Sequence, residues 1–93
     1  MTANKGVTID GTVKGDVRGE VVHIGHRAHV RGRLDAREVI VHGRVDGSIH
    51  GKVVRFLKTA RVTGPVWHDE LSIEPGAQFD GQCRRNGERG VGD

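Results

Sequence analysis

Histidine is the residue type in this sequence best suited to bind a metal ion, and six are present. A zinc site needs three or four ligands that converge on one point. When the internal repeat described below is aligned, the histidines fall in different columns: His23 aligns with Ile40, and His50 with Asp35. We therefore expect dispersed surface histidines and no metal site. The histidines considered are His23, His26, His29, His42 and His50.

The candidate nucleophiles are Cys83 and Ser48, and neither has a nearby pattern of base and orienting residue. No glycine-rich loop opens a helix, as a phosphate-binding loop would. We predict that the chain is not an enzyme and needs no cofactor. Cys83 aligns with Val17, Leu34, Ile49 and Val66, which predicts a buried structural thiol.

Charge and composition limit the class of partner. The 15 Lys and Arg residues are interspersed with 12 Asp and Glu residues, which predicts a mixed solvated surface. Nucleic-acid binding is not expected. The first residues lack the apolar region of a signal peptide, and no 18-residue apolar run follows. Direct membrane binding is therefore not expected, and the single cysteine fits a reducing cytoplasm.

The elements that must position these residues come from an internal repeat. A unit of the form apolar-x-Gly-x-apolar recurs around Gly15, Gly32, Gly47, Gly64 and Gly81, with spacings of 17, 15, 17 and 17. The third unit is two residues short between Val41 and Gly43, where the other units are expected to carry a longer corner. The corner changes in length, whereas the apolar residues of the later units stay aligned. This behaviour is typical of a solenoid.

Within each unit, apolar and small residues alternate with polar ones, which indicates strands with one buried face. One coil cannot bury its own apolar stripe, but stacked coils bury a continuous column. The sequence therefore predicts an all-β, single-domain parallel β-helix of about five coils, each with about three short strands. The predicted boundaries are a short tail at 1–6, the β-helix at 7–83 and a flexible basic tail at 84–93.

Only the short tails at 1–6 and 84–93 flank the predicted β-helix, and we expect them to leave both of its ends uncovered. Apolar residues of the first and last coils would be exposed together with unpaired strand edges, which are templates for another chain. We predict that the chain polymerises through these ends. The predicted interface residues are Val7, Ile9, Val13, Leu71, Ile73, Phe79 and Cys83.

Two further apolar residues, Trp67 and Leu57, fall at outward positions of the repeat and are candidate partner contacts. For Trp67, packing at a corner beside Pro65 is the alternative.

The repeat units resemble the bactofilin domain over roughly residues 7–83. The resemblance is carried by three strings: Val13-Lys-Gly-Asp-Val-Arg-Gly19, Val41-His-Gly-Arg-Val-Asp-Gly-Ser-Ile49 and Leu71-Ser-Ile-Glu-Pro-Gly-Ala-Gln-Phe-Asp-Gly81. It implies a right-handed β-helix and a bacterial cytoskeletal polymer that assembles without nucleotide. It also implies a cytoplasmic scaffold for cell-shape, cell-envelope or peptidoglycan-processing proteins.

The sequence departs from the family pattern in two respects: it lacks an N-terminal membrane-targeting peptide and long tails, and the domain is short. The first departure argues against direct membrane binding, and the second leaves closed oligomers open as an alternative to filaments. Two other classes of function also stay open. A monomeric β-helix could be a binding module, and hexapeptide-repeat acyltransferases also stack strands in triangles. The latter keep an 18-residue coil, which the observed spacing breaks.

Overall fold

The computed structural model describes residues 6–85, which contain strands, turns and bends and no helix. The remainder of the two predicted tails, 1–5 and 86–93, lies outside the described residues. Gly6 begins the first strand, and Arg84 and Arg85 belong to the last one. The chain forms a parallel β-solenoid of about five turns, as the repeat predicts.

Thirteen strands make two parallel sheets. Sheet B contains one short strand from each coil: β2 (Thr12–Lys14), β4 (His29–Arg31), β6 (Arg44–Asp46), β9 (Arg61–Thr63) and β12 (Gln78–Asp80). Sheet A contains the other eight: β1 (Gly6–Ile9), β3 (Val17–Ile24), β5 (Leu34–Val41), β7 (Ile49–His50), β8 (Val53–Phe56), β10 (Val66–His68), β11 (Glu70–Ile73) and β13 (Cys83–Arg85).

The strand register confirms the alignment made from the sequence. Val22 pairs with Val39, Val39 with Val54, and Val54 with Leu71. In sheet B, Val45 pairs with Val30 on one side and Val62 on the other. Each apolar residue therefore lies directly on its equivalent in the next coil.

The core is built almost entirely from these aliphatic columns. Phe56 is its one fully buried aromatic residue, and no polar or charged residue is buried among the described residues. Val, Ile and Leu fill the rest of the interior, while Ala28 and Ala60 occupy the small-residue column. Branched aliphatic side chains suit the pleated surface of a strand, so a narrow interior is filled without large rings.

The coils differ from the prediction in two respects. Not every coil has three short strands, and the third unit is not the only short one. In the second and third coils, β3 and β5 continue for eight residues around a bend, whereas Gly51 and Asp69 interrupt the equivalent strands later. The first unit is also short, because Ile9 pairs with Ile24 but Thr12 pairs with His29. The expectation that only the third corner is short is therefore wrong.

The long corners share a hydrogen-bonded turn that the short corners have no room for. The amide of Ala60 donates to the carbonyl of Leu57, and the amides of Ala28 and Ala77 do the same in their own corners. At the short third corner, a Cβ on Gly43 would overlap the carbonyl oxygen of Gly25, so only glycine fits there.

Candidate self-association surfaces

The last coil presents its inward columns at an open end. Leu71 and Phe79 are half-buried, and Ile73 is 47% exposed, the one large apolar residue exposed to this extent among residues 6–85. One coil earlier, the equivalent Val54, Phe56 and Val62 are buried. The exposure therefore arises because no described coil follows the fifth.

The Phe79 ring forms the centre of this end. It lies against the ring of Phe56, with centroids 5.7 Å apart and planes tilted by 40°. The face of Phe79 that contacts Phe56 continues the core, while the rest of the ring remains accessible. We call Leu71, Ile73, Phe79 and Cys83 the C-terminal end surface.

Backbone groups at this end also lack partners on one side. Strands β11, β12 and β13 pair with β8, β9 and β10 respectively, and no other described strand pairs with them. The C-terminal end surface thus combines apolar side chains with three parallel strand edges, which is the arrangement that another strand could extend.

The N-terminal end differs from the prediction. Val7 and Ile9 are 9% and 4% exposed, so the expectation that they form an open apolar end is wrong for the single chain. Both point into the interior and pack in the core cluster, with Val22 and Ile24 of the second coil in register beside them. Val13 is half-buried. What this end offers to another chain is mainly the free edges of β1 and β2.

Cys83 occupies the predicted column but not the predicted environment. It pairs in register with Val66, yet it is exposed because no coil covers it, so the prediction of a buried thiol is wrong for the single chain. Partial burial of the thiol against the coil below raises its pKa above the ordinary value. A thiol with a raised pKa is a poor nucleophile at neutral pH.

The structure does not bring the two candidate partner contacts together. Trp67 lies on the outward side of β10, where its ring stacks on His50 with centroids 4.6 Å apart and planes 9° from parallel. Leu57 lies at the corner after β8, beside Leu71 and Glu74. Both are half-buried, and the observed ring contact of Trp67 is with His50.

The histidines do not form a metal centre within the described part of the chain. His23 and His42 approach each other, with ring centroids 4.9 Å apart, but no three His, Cys, Asp or Glu side chains of residues 6–85 are arranged to hold an ion. Desolvation and the neighbouring His23 and His26 lower the pKa of His42.

Sequence reasoning missed a polar network on sheet B. Asp46 accepts hydrogen bonds from Thr63 Oγ1 at 2.6 Å and from His29 Nε2 at 2.6 Å, and Arg44 Nε lies 3.4 Å from the same carboxylate. The hydrogen bonds from Thr63 and His29 lower the pKa of Asp46 to about 2. The repeat aligns Asp46 with Thr63, so that contact could have been predicted, whereas it aligns His29 with Arg44 and does not indicate the diagonal contact of His29 with Asp46.

This network lacks the arrangement of a nucleophilic relay. The Thr63 hydroxyl and the His29 imidazole both contact Asp46, so His29 does not lie between Thr63 and the carboxylate, and a carboxylate with a pKa of about 2 is a weak general base. The contacts instead fix side chains on the outward surface of the sheet.

Comparison with known proteins identifies the family of the chain. The family model for bactofilins, described as polymer-forming cytoskeletal, matches residues 1–84 of the chain. The chain belongs to the bactofilin family. No curated protein and no solved structure matches it.

Bactofilins are a structural cytoskeletal family that forms polymers, not a family of enzymes. Membership of a polymer-forming family supports self-association of this bactofilin. Within residues 6–85, there is no helix with the length and apolar character required to cross a bilayer.

Proposed function

We propose that this bactofilin assembles end to end through its terminal coils into a scaffold that forms without nucleotide. Its role in this proposal is to position cell-shape or envelope proteins in the bacterial cytoplasm. The observation that carries the proposal is the C-terminal end surface, where columns buried in every inner coil meet solvent.

The energetics favour a contact at this surface. Transfer of a phenylalanine side chain from water to a buried site contributes about 1.5–3 kcal/mol. Ile73 and Leu71 lie in the same end coil as Phe79, and another chain docked there would also pair the free strand edges. Apolar contact and strand pairing together need no nucleotide, because neither involves a phosphate.

The test is the variant Phe79→Arg, which places a charge in the proposed junction. We expect filaments to be lost in negative-stain electron microscopy and the sedimentation coefficient to fall to that of a monomer or a dimer with one junction. The β signal in circular dichroism should remain, because an arginine in an end coil can extend its guanidinium to water.

Gln78→Arg is the matched control, since Gln78 is the neighbouring residue of the same strand but is exposed and outward. It should leave filaments intact. Sedimentation of the unmodified chain with ATP, GTP or a chelator should give the same polymer in each case. Intact filaments of Phe79→Arg would show that the junction lies elsewhere, and a monomeric unmodified chain would favour the binding-module alternative.

A further inference from the structure

Sheet B carries a surplus of cations on its outward surface. Lys14, Arg31, Arg44 and Arg61 all project from this flat five-stranded sheet, and we call these four residues the basic face. Charges of both signs are interspersed along the sequence, which led to the expectation of a mixed surface. Sheet B also carries two outward carboxylates, Asp46 and Asp80, so its surface is mixed, but the four cations outnumber them.

The cations of the basic face are stacked on one another. Lys14 is in register with Arg31, and Arg44 is in register with Arg61. Neighbouring strands are about 4.8 Å apart, and like charges in directly opposed positions destabilise a sheet. These are the two like-charge pairs in the register of the described strands, and both lie in sheet B.

Three of the four cations are also available to a partner. Lys14, Arg31 and Arg61 form no ion pair with another described residue, whereas Arg18 and Arg33 elsewhere on the coil both approach Asp35. Asp46 compensates the two repulsive pairs in part, since it lies 3.4 Å from Arg44 and in register with Arg31. Lys14 and Arg61 have no carboxylate in register with them. Such a departure from the local rule is expected where function requires it.

Asp46 shows what chemistry this surface binds. Its carboxylate lies on the same sheet and is held by the hydroxyl of Thr63, the imidazole of His29 and the guanidinium of Arg44. The low pKa of Asp46 follows from these contacts. One carboxylate is therefore already bound on sheet B, with unpaired arginines on the strands at either side.

From this geometry we propose that the basic face binds a carboxylate-rich segment of a partner protein. The inference rests on the proposed scaffold function, for which it supplies the chemistry of the partner. Arginine suits this ligand because its planar guanidinium can bind a carboxylate through two hydrogen bonds.

The same surface is less suited to other polyanions. None of the outward residues of sheet B within the described chain is apolar, so nothing on it would insert into a bilayer as interfacial anchors do. It has no outward Phe, Tyr or Trp ring on which a nucleic-acid base could stack, and its one imidazole within the described strands, His29, is bound to Asp46. A polymer displays many copies of the face, so weak binding to one chain becomes strong for a partner with several acidic segments.

The test uses a fluorescein-labelled octaglutamate peptide and the full chain, with fluorescence anisotropy at low ionic strength. We expect binding that weakens as salt screens the charges, and no binding of octaglutamine. The double variant Arg31→Glu/Arg61→Glu should weaken octaglutamate binding by at least about tenfold. Circular dichroism of each variant verifies that the coil is folded.

The matched control is Arg18→Glu/Arg33→Glu, which changes the net charge equally on another face. It should change the affinity by less than about twofold, because only long-range charge is altered. Equal weakening by both double variants, or no octaglutamate binding by the unmodified chain, would overturn the proposal. Binding to phosphatidylglycerol vesicles or to single-stranded DNA in preference to the peptide would also overturn it.

Sedimentation of the same samples separates the two proposals. If the chain binds octaglutamate but remains monomeric, the proposed scaffold function is contradicted and carboxylate binding by the basic face is supported. If the chain forms filaments but does not bind the peptide, only the proposed binding of carboxylates by the basic face is contradicted.

Discussion

At the scale of single residues, the stacked glycines restrict the sequence most severely. Gly47 has a φ of 143°, and a Cβ on it would overlap the carbonyl oxygen of Gly32 in the preceding coil. The same close approach relates Gly64 to Gly47 and Gly81 to Gly64. The backbones of successive coils therefore touch where the chain leaves sheet B, and no side chain can be placed between them.

We therefore expect Gly47→Val to lower the free energy of unfolding by about 1–3 kcal/mol, through an unfavourable φ and overlap with a neighbouring backbone. Urea denaturation followed by circular dichroism measures the change. Arg44→Lys, an exposed outward substitution in the same coil, serves as the control and should have almost no effect. Equal small effects of both substitutions would contradict the close packing of the glycines.

The Asp46 network gives a prediction about acid. The folded-state pKa of Asp46, about 2, lies below its ordinary value of 3.8, so the unfolded chain binds more protons between these two values. Its stabilising contribution is fully present above pH 3.8 and is lost as the pH falls towards 2. Asp46→Asn should cost about 1 kcal/mol at neutral pH, because solvent screens part of the interaction.

Urea titrations from about pH 5 to pH 2 test this, since the Asn variant should lose stability less steeply between the two pKa values. Asp80→Asn, on the same sheet but without an ion pair to a described residue, is the control. If both variants keep the pH dependence of the unmodified chain, Asp46 is not the residue responsible.

Residue burial was predictable from the sequence where a coil has neighbours on both sides. Val39, Val45 and Ile49 are buried because the repeat places an apolar residue above and below each of them. The prediction was wrong at the ends, where Ile9 is buried and Cys83 is exposed. Periodicity reveals which side of a strand faces inward, but it does not reveal what closes the first or last coil.

At the scale of elements, corners vary while strands keep their register. The third corner passes from Val41 to Gly43 in two residues, whereas the equivalent step from Phe56 to Ala60 takes four. Both corners deliver the chain to the same column, since Val45 pairs with Val62. The long corner is closed by its own turn hydrogen bond, so either length can connect the same two strands.

Replacement of His42-Gly43 by Leu-Lys-Thr-Ala, the sequence of the fourth corner, should therefore change the free energy of unfolding by less than about 1 kcal/mol. Insertion of two residues after Val45, within β6, should abolish the cooperative transition because it moves Gly47 away from its close approach to Gly32. Thermal melts of both variants make the comparison. Similar losses from both insertions would mean that corner length is fixed as strictly as strand register.

Element type and order followed from the sequence because the repeat occurs five times and its alternation identifies strands. The continuity of β3 and β5 did not. In both strands the inward alternation slips at the bend, between Gly19 and Val22 in β3 and between Ala36 and Val39 in β5, and the hydrogen bonds continue around it. A slip in alternation looks the same in sequence whether the strand bends or ends.

At the scale of the whole molecule, the solenoid is asymmetric. Its first coil buries Val7 and Ile9, whereas its last coil leaves Ile73 and Cys83 exposed. In a polymer that joins like ends, the two contacts differ in character, one formed mainly by strand edges and the other by strand edges together with apolar side chains. Alternation of two unlike contacts is sufficient to propagate a polymer.

The melting temperature should consequently depend on protein concentration. A neighbouring chain that binds only the folded coil stabilises it by mass action, and a change of about 1 kcal/mol shifts the midpoint of a domain of this size by about 4–8 °C. A hundredfold increase in concentration stabilises an assembled chain by about 2.7 kcal/mol, so the midpoint of the unmodified chain should rise by about 11–22 °C.

Phe79→Arg should weaken this dependence, because the C-terminal end surface can then no longer bind another chain. Gln78→Arg should keep it. Circular dichroism melts over the concentration range measure all three proteins, with slow scans and repeat heating to establish reversibility. A midpoint of the unmodified chain that does not change with concentration would mean that the exposed last coil is stable without a neighbour. In that case, the apolar end would not be the contact that holds the polymer together.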